Sequence, residues 1–232
     1  MLRLPVHKRV TILVGEFGSG KTELAVHYSL ALAERGLKTA LIDFDIAKPC
    51  FRVREKRDWL ESRGIQVAAP EPRLASSGLP LLPPDVQRLL SDDSFQVVMD
   101  VGGGDSAVAL GQLRPQLEQA GYDALLVVNT LRPFTADCDG IVNSLRRIEQ
   151  VSRLKLTGLL ANSNLAAQTT VAHVEAGLTV VRQAAEYLQL PVRAVTAPVW
   201  LAGRIKTAAP LLWLEPCTCY PWMEQAAFDC PR

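Results

Sequence analysis

A single octapeptide near the N-terminus restricts the fold of this chain more than any other feature. Residues 15–22 read GEFGSGKT and match the pattern GxxxxGK[ST] at every fixed position. The β-branched apolar run Val10–Val14 precedes the octapeptide, and apolar residues at helical spacing follow it over residues 21–35. A strand, a glycine-rich loop and a helix in this order predict a phosphate-binding loop, the P-loop.

The residue types in this loop suit the binding of a phosphate group. Glycine lets the backbone curl around an anion without Cβ clashes, and the N–H groups at a helix N-terminus attract negative charge. Lys21 can reach phosphate oxygens, and the hydroxyl of Thr22 can ligate Mg²⁺. The predicted ligand-binding residues are therefore Gly15, Glu16, Phe17, Gly18, Ser19, Gly20, Lys21, Thr22 and Glu23.

The rest of the chain alternates between strand and helix patterns. We predict strands at 10–14, 39–42, 65–68, 95–101, 124–128, 156–161 and 192–196. We predict helices at 21–35, 51–63, 107–120, 137–151 and 170–188, the third of them interrupted or bent near Pro115. This alternation favours an α/β fold, a single three-layer α-β-α domain with a mostly parallel sheet over residues 1–201. Residues 70–84 suggest a proline-rich surface loop, and residues 202–232 a C-terminal extension of uncertain structure.

Two predicted strand ends carry carboxylates. Asp43 and Asp45 follow the second strand, and Asp100 ends the strand VVMD. In open α/β sheets, ligands bind at the carboxyl edge of the parallel strands, where the P-loop also lies. Because Mg²⁺ prefers hard oxygen ligands and needs only one or two carboxylates, Thr22, Asp43 and Asp100 form the predicted metal site. Asp105 directly precedes a predicted helix and is interpreted as its cap.

Three segments resemble one branch of the P-loop NTPases, the MinD/ParA-like (SIMIBI-class) branch. They are the P-loop, LIDFDI at 41–46, and VVMD at 97–100 with the three glycines that follow Val101. GEFGSGKTE and the stretch FRVRE at 51–55 also resemble a small family of uncharacterised bacterial ATP-binding proteins. The resemblance implies a P-loop NTPase domain that binds ATP with Mg²⁺ and hydrolyses it.

The same resemblance implies roles for matching residues. Lys21 and Asp45 would be catalytic, with Lys21 on the phosphates and Asp45 orienting the attacking water. Asn162, at the end of LLAN, would hydrogen-bond the adenine base, and Pro198 would pack against that base. The sequence lacks NKxD, the guanine-reading motif of many GTPases, and this favours ATP.

One residue departs from the pattern of this branch. Many members carry a lysine immediately after the first P-loop glycine, and it reaches the partner's ATP in a nucleotide-bound dimer. Here that position is Glu16. Because a carboxylate repels a triphosphate, we expect Glu16 to turn away or to pair with a basic residue. Lys48, Arg52 and Arg54 could supply positive charge instead, although a solvated helix face is the favoured interpretation of these three residues.

The composition of the chain restricts which classes of protein remain possible. The chain has 25 basic and 24 acidic residues, and this net charge of +1 gives no signal for nucleic-acid binding. No apolar run reaches the roughly 18 residues that a membrane span requires. An odd number of cysteines, five, favours a reducing cytoplasmic setting over a disulfide framework. Cys217, Cys219 and Cys230 could bind a soft metal, but their spacing is not a standard zinc pattern.

Three functions remain open from the sequence. The first is a slow Mg²⁺-dependent ATPase that acts as a nucleotide-driven switch or carrier, cycling between ATP and ADP with an unknown protein partner. Such a switch could also form a nucleotide-dependent homodimer. The second is a P-loop small-molecule kinase or an ATP-dependent ligase of the cobyrate or dethiobiotin type, with residues 70–84 as a lid over the acceptor. The third is a redox or metal-maturation factor that uses the C-terminal cysteines.

Overall fold

Eight parallel strands form one sheet in the computed structural model, which describes residues 6, 8–44, 53–69, 83, 85–215 and 217. The strands are β1 (Val10–Val14), β2 (Thr39–Phe44), β3 (Ile65–Ala68), β4 (Gln96–Val101), β5 (Tyr122–Val128), β6 (Gly158–Ala161), β7 (Val192–Pro198) and β8 (Leu211–Leu214). Their order across the sheet is β3-β2-β4-β1-β5-β6-β7-β8. Since β1 pairs with β4 on one side and β5 on the other, the loop that follows β1 lies near the middle of the carboxyl edge.

The described residues include seven α-helices, which connect and cover these strands. They are α1 (Lys21–Ala33), α2 (Arg57–Glu61), α3 (Val86–Ser91), α4 (Asp105–Leu110), α5 (Arg114–Ala120), α6 (Cys138–Ser152) and α7 (Val171–Leu188). Short 3₁₀ turns occupy Val53–Lys56, Gly111–Leu113, Pro133–Thr135 and Val199–Leu201.

Helices cover both faces of the sheet. On one face, Ile12 of β1 belongs to a buried cluster with Ile141 of α6 and Val174 of α7. On the other face, its neighbour Leu13 belongs to a second buried cluster with Leu24 of α1. Strands buried on both faces read as continuous apolar runs, which explains why the strand patterns in the sequence do not alternate. The predicted three-layer α/β fold is confirmed.

All seven predicted strands are present, with ends shifted by at most two residues. The helical stretch predicted at 107–120 is interrupted near Pro115, which is one of the two alternatives that the sequence left open. It divides into α4, a 3₁₀ turn and α5. Gly111 begins the turn where the chain passes close to α6, since a Cβ atom there would lie 2.9 Å from the carbonyl oxygen of Ser152. Pro115 lies in the first turn of α5, where its missing N–H leaves no hydrogen bond unmade. It therefore starts a helix and does not bend one.

The region around the predicted helix at 51–63 differs from expectation. Residues 53–56 form a 3₁₀ turn, and α2 spans only Arg57–Glu61. Residues 51–52, and residues 70–82 and 84 of the predicted proline-rich loop, lie outside the described residues. The sequence did not predict α3, because six residues are too few to establish a helical period.

The sheet extends past residue 201, where the sequence placed the end of the domain. β8 pairs with β7 in parallel, from Val195↔Leu211 to Pro198↔Leu214. Leu212 and Leu214 of β8 are buried on the same face as α1. Part of the predicted C-terminal extension therefore belongs to the sheet, while residues 216 and 218–232 lie outside the described residues. None of the helices in the described part of the chain is long and apolar enough to cross a membrane.

Candidate functional site

The P-loop has a tightly curled backbone. Gly18 and Gly20 adopt left-handed conformations, with φ of 76° and 83°. At Gly20 a Cβ atom would collide with the side-chain amide of Asn162, so this position requires glycine for space as well as for conformation. α1 begins at the next residue, Lys21, so the loop lies between the end of β1 and a helix N-terminus. This is the arrangement that attracts an anion.

Two asparagines and an arginine hold the P-loop through hydrogen bonds to its carbonyl oxygens. Asn162 Nδ2 donates to the carbonyl oxygen of Ser19 at 2.6 Å. Asn129 Nδ2 and Arg132 Nε both donate to the carbonyl oxygen of Gly18 at 3.2 Å. The sequence analysis missed Asn129 and Arg132. One signal was available, because Asn129 directly follows β5 just as Asn162 directly follows the neighbouring strand β6.

Lys21 is buried, with 1% of its surface exposed. Its Nζ donates to the carbonyl oxygen of Glu16, 3.4 Å away. A buried ammonium group is unfavourable unless polar groups surround it. The Lys21 side chain therefore folds back along the loop, and its charge stays beside the turn that would surround a phosphate.

The predicted metal ligands lie close together. Thr22 Oγ1 donates to Asp100 Oδ2 at 2.6 Å. Asp43 lies beside Asp100 in the register of β2 and β4, and each aspartate is 1% exposed. Two carboxylates and a hydroxyl at one edge of the sheet fit the hard-oxygen preference of Mg²⁺, which commonly keeps several waters as its other ligands. Asp45, predicted to orient the attacking water, lies outside the described residues.

Glu16 turns toward α6. Its Oε1 accepts hydrogen bonds from Ser144 Oγ and Arg147 Nη2, and the residue is 7% exposed. The sequence led us to expect a basic partner for Glu16, and in the structure that partner is Arg147. Lys48 and Arg52 lie outside the described residues. The carboxylate at this unusual position is therefore neutralised from within the same chain.

An open cleft lies beside this contact. Its volume is about 470 Å³, and its lining consists of Glu16, Pro133, Phe134, Asp137, Asp139, Gly140, Asn143, Ser144 and Arg147. The ring of Phe134 is 64% exposed, and Phe17 of the P-loop is 67% exposed. The cleft and the exposed Phe134 at its edge were not predicted, because residues 133–147 come together with the P-loop only through the packing of α6.

Glu23 and Asp105 differ from what the sequence predicted for them. Glu23 Oε1 accepts a hydrogen bond from the backbone N–H of Cys217 at 2.6 Å and lies 3.1 Å from His27 Nε2. Its carboxylate thus faces the segment after β8. Asp105 is the first residue of α4, and Gly104 occupies the cap position. The interpretation of Asp105 as a helix cap is therefore wrong.

The residues predicted to contact a base lie at the ends of neighbouring strands. Asn162 follows β6, and its Oδ1 accepts a hydrogen bond from Thr196 Oγ1 of β7. Since its Nδ2 donates to the P-loop, the Asn162 amide joins β6, β7 and the loop. Pro198 is buried at the end of β7, followed by Val199 and Trp200, which are 40% and 38% exposed.

The parallel sheet, the curled loop between β1 and α1, and the contact between Thr22 and Asp100 together define a P-loop nucleotide-binding protein. The sequence matches the family described as CobQ/CobB/MinD/ParA nucleotide binding domain (CbiA) over residues 10–193. The chain belongs to this family, and its MinD/ParA-like character is confirmed. No protein of curated function matches the sequence.

Solved structures share this fold at low sequence identity. FtsY from Thermotoga maritima superposes with a TM-score of 0.54 at 19% identity, covering 85% of this chain and 64% of that one. Chloroplast FtsY from Physcomitrella patens gives 0.54 at 21% identity, covering 84% and 60%. The signal recognition particle receptor FtsY from Elizabethkingia anophelis, in complex with GDP, gives 0.53 at 17%, covering 84% and 59%. The chain thus spans less than two thirds of the length of these proteins, and the likeness establishes the fold alone.

Proposed function

We propose that this protein binds ATP with Mg²⁺ and hydrolyses it slowly, acting as a nucleotide-driven switch or carrier for a protein partner. The observation that carries the proposal is the hydrogen bond from Thr22 to Asp100, beside the buried Lys21. It brings a hydroxyl and a carboxylate together at the mouth of a phosphate-binding loop. That pairing suits a metal ion that bridges protein oxygens and phosphate oxygens.

Slow intrinsic hydrolysis is supported by the arrangement around Glu16. In a nucleotide-driven switch, ATP hydrolysis is slow unless a cation neutralises the charge that develops on the transferred phosphate. Glu16 adds negative charge beside the loop, and Arg147 is engaged in neutralising it. A stimulating cation would then come from a partner, and such an arginine can increase the rate by about 10³ to 10⁵.

ATP is favoured over GTP by the sequence, which lacks the NKxD motif. Asn162 and Pro198, at neighbouring strand ends, are the proposed contacts of the base. One hydrogen of Asn162 Nδ2 is used in holding Ser19, which leaves its second hydrogen for an acceptor on the base. Because FtsY from Elizabethkingia anophelis was solved with GDP, guanine nucleotides must be tested alongside adenine nucleotides.

The direct test is calorimetric titration with ATP, ADP, GTP and GDP, each with and without Mg²⁺. We expect adenine nucleotides to bind more tightly than guanine nucleotides, and we expect Mg²⁺ to increase the affinity for ATP. Equal or tighter binding of GTP would overturn the assignment of the base, and no binding of either nucleotide would overturn the proposal.

The Lys21→Ala variant should lose nucleotide binding and keep its fold. Lys21 is placed to act on the phosphates of a ligand, so its loss should lower ATP affinity by about 100-fold or more. Lys206→Ala, which removes an exposed lysine far along the chain from the loop, is the matched control and should bind normally. Circular dichroism would establish that both variants are folded, and unchanged ATP affinity in a folded Lys21→Ala protein would contradict the role of Lys21.

A second candidate is a small-molecule kinase or an ATP-dependent ligase. The cleft of about 470 Å³ beside Glu16 favours it, because an acceptor could occupy that space next to the P-loop. Phosphate release measured without any added acceptor separates the two functions. A switch should release phosphate slowly from ATP and water alone, whereas a kinase or ligase should convert ATP to ADP only when its acceptor is present.

A further inference from the structure

Three side chains with metal-binding donor atoms converge beside α1. Glu23 and His27 lie one helical turn apart on α1, and Cys217 follows β8. The carboxylate oxygen, imidazole nitrogen and sulfur of these residues all lie within 4.8 Å of one another. The distance from Glu23 Oε1 to His27 Nε2 is 3.1 Å. None of these side chains contributes to the predicted Mg²⁺ site.

The backbone around Cys217 is held in place by three contacts. Its N–H donates to Glu23 Oε1 at 2.6 Å, and its carbonyl oxygen accepts from Lys56 Nζ at 2.6 Å. The carbonyl oxygen of Glu215 is in hydrogen-bond contact with His27 Nε2. Cys217 forms no disulfide with another cysteine in the described part of the chain, and it is 8% exposed. These contacts fix the direction of the segment, so the sulfur meets the other two donors in a position that the fold determines.

We propose that Glu23, His27 and Cys217 form a binding site for one divalent transition-metal ion of the zinc class. Sulfur, nitrogen and oxygen donors suit Zn²⁺, and sulfur is a poor ligand for Mg²⁺. Ligands that share a tetrahedral zinc ion lie roughly 3.3–3.6 Å apart. Glu23 and His27, at 3.1 Å, are already close to this spacing, and a donor pair at the 4.8 Å limit needs to draw together by about 1 Å. On binding, the Cys217 thiol gives its proton to solvent and its thiolate ligates the ion. His27 Nε2 gives up its contact with the Glu215 carbonyl oxygen and ligates the ion as the neutral imidazole, with the ring proton on Nδ1. A fourth position is then available for water or another ligand.

The ion would connect two parts of the molecule that are distant in sequence. Glu23 is the residue after Thr22, so the site shares the first turn of the helix that carries the predicted phosphate and Mg²⁺ ligands. Cys217 begins the stretch that leads to the C-terminus. Metal binding would fasten Cys217 to α1, and occupancy of the site would then influence the P-loop through a single helical turn.

Binding of the metal itself is the first measurement. Full-length protein freed of metal with a chelator, and kept reduced, would be titrated with Co²⁺ and Zn²⁺ in excess Mg²⁺. We expect one equivalent, with a thiolate-to-cobalt charge-transfer band that excess Mg²⁺ does not remove. X-ray absorption of the zinc form should show one sulfur at about 2.3 Å with nitrogen and oxygen at about 2.0–2.2 Å. A shell of sulfur alone, or one without sulfur, would overturn the proposal.

Substitutions test the assignment of the ligands. His27→Gln and Cys217→Ser should each lower zinc affinity by roughly 100-fold or more. The matched controls are His173→Gln and Cys138→Ser, which replace a histidine on α7 and the described cysteine on α6 and should bind normally. Metal binding that persists in either ligand variant, or that is lost only when Cys219 and Cys230 are replaced, overturns the three-donor site.

Two readouts keep these results interpretable. ATP affinity and circular dichroism of the His27→Gln and Cys217→Ser proteins should match those of the wild type without metal, since neither residue contacts the P-loop. Zinc should raise the Tm of the wild type and leave the Tm of both variants unchanged. If the Tm of the wild type does not respond to saturating zinc, the proposal that the metal holds Cys217 against α1 is overturned.

Discussion

Four charged side chains are buried within one short region of this molecule. Glu16, Lys21, Asp43 and Asp100 each have less than a tenth of their surface exposed. Buried charges reduce the stability of a fold unless they are compensated, and apolar residues of similar size often serve stability better. Their concentration at the carboxyl edge of one sheet is therefore better explained by a charged ligand than by the requirements of the core.

At the residue scale, Asp100→Asn and Asp43→Asn should weaken Mg²⁺-dependent ATP binding by roughly 10-fold or more, because a neutral amide is a poorer ligand for a hard dication. The fold should persist in Asp100→Asn, since the amide oxygen can still accept the hydrogen bond from Thr22. Asp105→Asn serves as the comparison and should do less. Calorimetry at several Mg²⁺ concentrations would measure the effect, and our assignment of the metal ligands is wrong if Asp105→Asn proves the most damaging of the three.

At the scale of elements, the P-loop is joined to α6 through Glu16. We expect a double-mutant cycle of Glu16→Gln and Arg147→Ala to give a coupling energy of about 1 kcal/mol, the value of a charge-assisted hydrogen bond reduced by solvent. Arg147 has 54% of its side chain exposed, which is why a larger value is not expected. Urea unfolding of the four proteins would provide the energies.

Arg146→Ala is the matched control for that cycle. Arg146 neighbours Arg147 on α6 but contacts Tyr187 on α7. A cycle of Glu16→Gln with Arg146→Ala should therefore give no coupling. Coupling of the same size in both cycles would show that the effect is general electrostatics and not the observed contact.

A second prediction at this scale concerns β8. Leu212 is 4% exposed and packs on the same face as α1, so Leu212→Ala should lower the free energy of unfolding by about 2–4 kcal/mol. Leu211→Ala, at the half-buried neighbouring position, should cost less. Urea denaturation would compare the two. Equal and small losses would mean that β8 contributes little to the sheet.

At the scale of the whole molecule, Glu16 bears on whether two copies can close over nucleotide. A dimer that encloses two triphosphates must neutralise several negative charges, and Glu16 adds one from each subunit. Glu16→Lys would replace this charge and repel Arg147, so both cations become available at the P-loop face. We expect the lysine variant to dimerise more than the wild type with ATP.

Light scattering with ATP, against ADP as the control nucleotide, would measure this association. Glu16→Gln separates loss of the acidic charge from gain of the basic one, and it should dimerise less than Glu16→Lys. A wild-type protein that already forms a tight ATP-dependent dimer and hydrolyses ATP rapidly by itself would contradict both the role of Glu16 and the proposal of slow hydrolysis.

The sequence by itself determined the P-loop, the strands and the positions of the strand-end aspartates, because each depends on residues that are neighbours in the chain. The P-loop could be recognised because its glycines, lysine and threonine act together within eight residues. The strands could be recognised because burial on both faces requires continuous apolar runs. The shared strand-end position of Asp43 and Asp100 followed from the rule that parallel strands end at one edge.

Tertiary structure decided what depends on contacts between distant segments. Arg147 as the partner of Glu16, Asn129 and Arg132 behind the loop, and Cys217 beside Glu23 are separated from their partners by more than 100 residues. No local periodicity or motif encodes such pairs, because the pairing of β5 with β1, the packing of α6 and the position of β8 at the edge of the sheet bring them together. The edge strand itself was missed for the same reason, since four residues acquire a strand conformation only from the hydrogen bonds that β7 offers them.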